Sequence, residues 1–346
     1  MEWKLFHVGA IFEVKRPVAR NKDDYEDGDI PFVASGANNN GVMKCCAPKD
    51  SEELDKGCCI TVSPVDGSSF YQPVDFLGRG GAGSSVLMLY GSAINEMNGQ
   101  FVARMVSQTC SKYTYGHMGN KNSLKREIMQ LPSTNDGTPD WDYMSSVVSD
   151  IREKLLEHYK DYAIKQLSTL EYKEIPALNQ MEWRPFYVPH IFTEIERGKR
   201  LKKADHVQGN MPYVSSTAMN NGVDAFITAT PGTRVFGDCL SLANSGSVGS
   251  TFYEPFDYVA SDHVTHLKHD GFNKWVYLFL VAVVEKQGVN FNFNREINDT
   301  RINKMQIMLP VADNGKPDYN YMEQYAKNLM FRKYNQYLAY ARHEEN

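Results

Sequence analysis

MEWKLFHVGAIF at residues 1–12 returns as MEWRPFYVPHIF at 181–192, with seven of twelve positions identical. IPFVASGANNNGV (30–42) returns as MPYVSSTAMNNGV (211–223), with eight of thirteen identical, and FYQPVDF (70–76) as FYEPFDY (252–258). IMQLP (128–132) is partnered by QIMLP (306–310), and GTPDWDYM (137–144) by GKPDYNYM (315–322). Chance gives roughly 6% identity per position at ordinary composition. Blocks this similar, in the same order, make the chain a duplication with a period near 180 residues. Between the blocks the halves differ, as KYTYGHMGNKNSLKREI does from NFNFNREINDTRINKM. One scaffold is presented twice with two different surfaces.

Composition sets the outer limits. Hydrophobic residues at 42% and charged residues at 23% over 346 positions describe a globular chain long enough for two domains. The net charge of −5 excludes a uniformly basic protein that coats nucleic acid. Residues 1–180 carry that −5 and residues 181–346 are neutral, and five acids crowd into Asp23–Asp29. Basic clusters remain at Lys15/Arg16/Arg20, Lys121/Lys125/Arg126 and Arg197–Lys203. No apolar run reaches the ~18 residues of a membrane span, and the charged start is not a signal peptide. Cys45, Cys46, Cys58, Cys59, Cys110 and Cys239 show no CxxC spacing and read as small buried hydrophobes of a reducing cytoplasm.

Each repeat changes character once. Its first ~130 residues alternate short apolar runs, such as Ile60–Val62, Val86–Tyr90 and Ile128–Leu131, with Gly-, Asn- and Pro-rich turns. Helices are predicted at 273–286 and, more weakly, near 94–107. Asp140 then stands as an N-cap, followed by Trp141, Met144, Val148, Ile151 and Leu155 at alternating three- and four-residue spacing. Asp318 starts a second such helix with Tyr319, Met322, Ala326 and Leu329, slipping register to Phe331, Tyr334, Leu338 and Ala341. The expected fold is α+β. Two pseudo-repeated α/β recognition domains (1–133 and 173–312) are separated by two long antiparallel, coiled-coil-like helices (134–172 and 313–346), whose apolar stripes bury each other. Helices of ~28 residues span about 42 Å. Globules at opposite ends of such a rod would hold two surfaces a fixed distance apart.

Strings with catalytic overtones fail on context. Asp75-Phe-Leu-Gly78-Arg-Gly80 and Gly78–Gly83 imitate cofactor loops, yet SSVLMLY after them reads as a strand and the second repeat has no glycine there. Pro139-Asp140 with Glu171-Tyr-Lys173 imitates a nuclease, but its acids flank a helix. His263, His266 and His269 lack a cysteine neighbour and alternate faces on a strand. No catalytic residue, metal or cofactor is expected.

A binding vocabulary remains. Asn38, Asn39 and Asn40 in the first repeat, and Asn220 and Asn221 in the second, precede a glycine at matching positions, which suits both a hairpin turn and contact with base edges or phosphates. Lys112, Tyr113, Tyr115, His117 and Lys121 form a polar, aromatic loop in the first half. Asn292, Asn294, Arg295 and Arg301 occupy the same place in the second. Arg and Asn can bond bidentately to guanine or adenine edges, while Lys and Tyr serve phosphates.

W-x-x-F-x-V-x-x-I-F, then P-[FY]-V-x-S-x-x-x-N-N-G-V, then L-P, then G-x-P-D-[WY]-x-Y-M and a long helix, all twice over, resembles the specificity (S) subunits of type I restriction-modification systems. It is especially similar to the short specificity subunits of type IIB-like systems. The resemblance implies a non-catalytic cytoplasmic subunit whose globules each read half of a bipartite, asymmetric site in double-stranded DNA. It further implies helices that space the halves and dock methyltransferase (M) subunits, with a restriction (R) or fused nuclease-methyltransferase subunit as a further partner. Trp3 and Trp183 are expected to anchor the domain cores. The alternative is a DNA methyltransferase or nuclease whose active site these strings do not reveal.

Overall fold

Strand β1 (Glu2–His7) closes its half of the chain by pairing antiparallel with β9 (Ile128–Ser133), and β10 (Trp183–Tyr187) does the same with β19 (Gln306–Pro310). These are the first and fourth repeated blocks, so the duplicated sequence is what ties the ends of each repeat together. The computed structural model describes residues 1–81, 85–292 and 294–344. Its contacts divide into two units, Met1–His158 and Tyr159–Asn346.

In the first unit, β2 (Glu13–Lys15), β8 (Leu87–Tyr90), β5 (Cys59–Val62) and β6 (Ser69–Gln72) form an antiparallel sheet in that order. A second sheet sets β4 (Val42–Cys46) antiparallel and β7 (Leu77–Gly78) parallel to β3 (Asp27–Val33). The second unit repeats this. Strands β11 (Glu194–Arg197), β18 (Val264–Lys268), β15 (Cys239–Ala243) and β16 (Thr251–Glu254) form one sheet. Strands β13 (Val223–Ile227), β12 (Gln208–Val214), β17 (Tyr258–Ala260) and the additional β14 (Val235–Phe236) form the other. Even the parallel register is kept, with Phe32 beside Leu77 and Tyr213 beside Val259.

A helix lies on the first sheet of each unit. Glu96–Thr109 begins with a reciprocal cap, Asn95 accepting from Met97 and Asn98 while the Asn98 side chain accepts from Asn95 N–H. It buries Val102, Ala103 and Val106 against Ile60, Val62, Leu87 and Leu89. Lys274–Glu285, capped by Asn273, buries Val276, Leu280 and Val284 against Leu240, Leu242 and Leu267. Trp3 and Trp183 are less central than expected. Trp3 is 42% exposed and stacks on Phe101, while Trp183 stacks on Phe279 at the core's edge. Of the cysteines, Cys45 and Cys58 are exposed: Cys45 points to the face opposite buried Cys46 on β4, and Cys58 stands in a bend before β5 with φ of 51°.

Long helices cover Trp141–Leu167 and Tyr319–Glu344. Asp140 Oδ1 accepts from Tyr143 N–H at 2.9 Å, and Asp318 Oδ1 from Tyr321 N–H at 2.9 Å, so the repeated Pro-Asp is the start signal of both. Their apolar stripe does not act as one seam. Met144 and Met322 are fully buried in the cores of their own units, with Trp141 and Tyr319 packed beside them. Val148 is half-buried, whereas Ile151 and Leu155 are 53% and 64% exposed and Leu329 is 41% exposed. Inside the second unit the helices do meet, and the expected positions Ala326, Phe331, Tyr334 and Leu338 of the second stripe take part. Tyr159 meets Tyr337 edge to face at 4.4 Å, Tyr162 meets Tyr334 at 6.1 Å, and Ala163, Ala326, Leu167 and Phe331 pack around them. Advancing three residues on one helix while retreating three on the other makes this stretch antiparallel. Spacing identifies a stripe but not what covers it. Among the described residues no helix is long and apolar enough to cross a membrane.

Candidate nucleic-acid interface

The Asn-Asn-Gly turns have the same unusual backbone in both units. Asn39, Asn40 and Gly41 have φ of 49°, 53° and 74°, and Asn220, Asn221 and Gly222 have 51°, 52° and 77°. Three successive left-handed residues favour a glycine or a short polar side chain at each position, which the Asn-Asn-Gly of both repeats supplies. A Cβ on Gly41 would also lie 2.9 Å from the Ala34 carbonyl oxygen. Asn38, Asn39, Asn40, Asn220 and Asn221 are all exposed at the end of the hairpin. Asn39 spends its amide on the Val42 carbonyl at 3.0 Å.

The variable loops share a frame as well. Thr114 and His117 exchange main-chain hydrogen bonds, and so do Asn292 and Arg295. Asn120 then caps Lys121–Arg126, and Asn298 caps Asp299–Ile302. Every position in this stretch is offset by 178, so His117 corresponds to Arg295 and Tyr113 to Phe291. The capping asparagine, Asn120 or Asn298, is the one identity across 112–127 and 290–305, too little for sequence comparison to reveal the frame.

Within that frame the proposed contacts sort into two groups. Tyr115 (84% exposed), His117 and Lys121 in the first unit, with Asn292, Asn294 and Arg295 in the second, lie at the surface. Arg295 also lies over the Phe291 ring at 5.6 Å. Tyr113 is corrected to a core residue. It is 3% exposed, donates to Glu127 Oε1 at 3.1 Å, and has Gly119 packed on its ring where a Cβ would clash. Lys112 is exposed but paired with Glu127 at 2.6 Å. Arg301 is half-buried and donates to the Glu296 carbonyl at 2.6 Å, which fits a loop brace better than a base reader.

The basic clusters diverge too. Lys121, Lys125 and Arg126 are exposed together. Arg20 is not part of a surface cluster. It is 9% exposed and bonds to Glu52 (2.7 Å), Asp55 (2.6 Å) and the carbonyls of Gly78 and Glu53. Burial opposes the charge on Glu52, but hydrogen bonds from Arg20, Tyr25 and the Lys49 main chain hold its carboxyl below the usual range. Burial and Glu52 in turn push Tyr25 up to about 12. The second unit has Leu201 in the place of Arg20 and His206 in that of Tyr25. There a cleft of about 250 Å³ opens, lined by Arg200, Lys202, Lys203, His206 and His263 together with Asp224 and Asp262. The RGKRLKK run was a partial signal for it.

Other suspected chemistry takes structural places. His263 Nδ1 meets Ser245 Oγ at 2.6 Å, His266 is buried with Nδ1 3.1 Å from the Glu196 carbonyl, and His269 Nδ1 accepts from Gly271 N–H. Among the described residues no group of three or more metal-ligating side chains is assembled. Asp75 bonds to Lys56 and to Gly57 N–H, and Gly83 of the glycine-rich string lies outside the described residues.

The description of the type I restriction modification DNA specificity domain matches residues 1–159 and again 182–337. The chain belongs to this family. Its function is DNA sequence recognition as the specificity subunit of a restriction-modification system. The specificity subunit S.BcgI of a type II restriction enzyme from Heyndrickxia coagulans is 28% identical over 336 residues, covering 95% of each chain. The type I S subunit structure from M. genitalium is 15% identical with a TM-score of 0.46, covering 98% of this chain and 92% of that one. The HsdS subunit from Thermoanaerobacter tengcongensis is 12% identical with a TM-score of 0.34, covering 99% and 92%.

Proposed function

We propose that each unit of this specificity subunit reads one half of a bipartite, asymmetric site in double-stranded DNA. One observation carries this reading: the same hairpin-and-cap frame occurs twice, holding Tyr115, His117 and Lys121 in one unit and Asn292, Asn294 and Arg295 in the other. A fixed frame with exchanged polar tips makes two readers of different bases. The recognition domains are 1–133 and 173–312, and the helices within 134–172 and 313–346 act as spacer and as docking surface for methyltransferase subunits. A restriction subunit or a fused nuclease-methyltransferase completes the assembly in the cytoplasm, and similarity to the S.BcgI subunit favours the type IIB-like arrangement. The chain itself turns over nothing.

Mapping methylated bases in a host carrying the whole system tests this reading. The expected motif has two unequal halves separated by an unread gap, and a continuous or palindromic motif would overturn it. Incubating the purified chain alone with labelled S-adenosylmethionine and DNA should transfer no label.

A further inference from the structure

Across β5–β6 Cys59 faces Gln72, and across β15–β16 Cys239 faces Glu254, so Gln72 and Glu254 occupy one position of the duplicated fold. Both strands lie under an Asn-Asn-Gly turn. A Cβ on Gly41 would sit 3.9 Å from the Phe70 ring, and one on Gly222 3.6 Å from the Phe252 ring. In the first unit the link between strand and turn is explicit. The Gln72 Nε2 amide donates to the Asn40 main-chain carbonyl at 2.9 Å and to Thr61 Oγ1 at 3.0 Å.

In the second unit Ser241 replaces Thr61, and its hydroxyl donates to Glu254 Oε1 at 2.8 Å. Glu254 is 0% exposed, and its Oε2 has no hydrogen-bond partner among the described residues. A carboxylate there would be a buried charge supported by one hydroxyl, with no hydrogen to offer the turn. The titratable groups around it are Cys239 on β15, Tyr258 on β17, Tyr253 on its own strand, and Tyr277, stacked on Tyr253 from the covering helix. Burial pushes this thiol and these phenols upward, so they are neutral below pH 8. Asp238 is engaged by the Tyr253 hydroxyl, and Lys268 on β18 acts on the Cys239 thiol.

We propose that Glu254 is a neutral carboxylic acid in the folded chain and donates its proton to the main-chain carbonyl of Asn221, positioning the second Asn-Asn-Gly turn as Gln72 positions the first. Burial pushes its pKa from the usual 4.5 up to about 7. The first turn is therefore held by an amide at any pH, and the second by a proton. The folded state binds this proton more tightly than the unfolded chain. Its stabilising contribution is complete below pH 4.5 and is lost as pH rises through about 7. Resting on the reading that these turns face DNA, the second half-site should weaken above that pH while the first does not.

Infrared spectra and urea unfolding of the full chain, wild type against Glu254→Gln, test the assignment. The wild type should show a protonated-carboxyl band that E254Q lacks, titrating with a midpoint of about 7. Its unfolding constant relative to E254Q should rise roughly tenfold per pH unit between pH 4.5 and 7, on the order of 300-fold in all. Gln72→Glu should create the same dependence in the first unit, and it carries the test should E254Q not fold. Absence of the band at pH 5, or a ratio constant from pH 5 to 8, overturns the proposal. If stability follows the proton but half-site affinity does not, the proton assignment holds and the placement of the turn at DNA fails.

Discussion

Arg20 Nη1 lies 2.6 Å from Asp55 Oδ2, and the same guanidinium reaches Glu52 through Nε at 2.7 Å. An arginine from a stretch that looks like a surface basic cluster is thus the internal fastener of the first unit. Arg20→Ala would leave two mostly buried carboxylates without their cation, which costs about 3 kcal/mol. Urea denaturation should show that loss, while Lys15→Ala, whose side chain is half-exposed, should change little. The sign with pH follows from Glu52. Its folded pKa lies below the unfolded 4.5, so the contribution is present above pH 4.5 and fades as acid carries the solution through the lowered value. The gap between wild type and variant should shrink there.

What the sequence made legible was whatever duplication preserved. The repeated blocks are the strands that close each unit, the left-handed Asn-Asn-Gly turns and the Asp140 and Asp318 caps, all positions where backbone geometry restricts the residue. Side-chain destination was not legible. Tyr113 and Tyr115 are one residue type two positions apart, yet one is core and the other 84% exposed. Only Glu127, Gly119 and the hairpin turn decide which. The Arg20 network was hidden for the same reason, since its acids come from more than 30 residues away.

The long-helix stripe gives a contrast within one element. Leu155 is 64% exposed, so Leu155→Asp should shift stability by less than about 0.5 kcal/mol. Met144, eleven residues earlier on the same stripe, is fully buried among Phe12, Val102 and Leu131. Met144→Ala should therefore cost about 2–5 kcal/mol. Equal effects of the two changes in thermal unfolding would mean that the helix packs differently.

Among the loop cations, Lys121 and Arg301 should behave differently although both were candidates for DNA contact. Lys121 is exposed at the start of its helix, so Lys121→Ala should weaken DNA binding by the assembled complex and flatten its salt slope by about one if it serves a phosphate. Arg301 braces the Glu296 carbonyl, so Arg301→Ala should lower loop order and stability by roughly 1 kcal/mol without changing that slope. Titrating binding against salt for both variants separates electrostatic contact from framework.

His117 and Arg295 close equivalent hairpins, each exchanging main-chain bonds with the residue three positions earlier. Because the backbone is shared, exchanging the side chains should transplant chemistry without disturbing the frame. His117→Arg would place a bidentate donor where the first unit holds an imidazole, favouring guanine at one position of the first half-site. Arg295→His would remove such a donor from the second half-site, at about 1–3 kcal/mol of discrimination. Each change should alter one half of the methylated motif and leave the other half and the gap intact. A variant that changed both halves would place the hairpin at a shared surface, and one that changed neither would move base reading to the Asn-Asn-Gly turns.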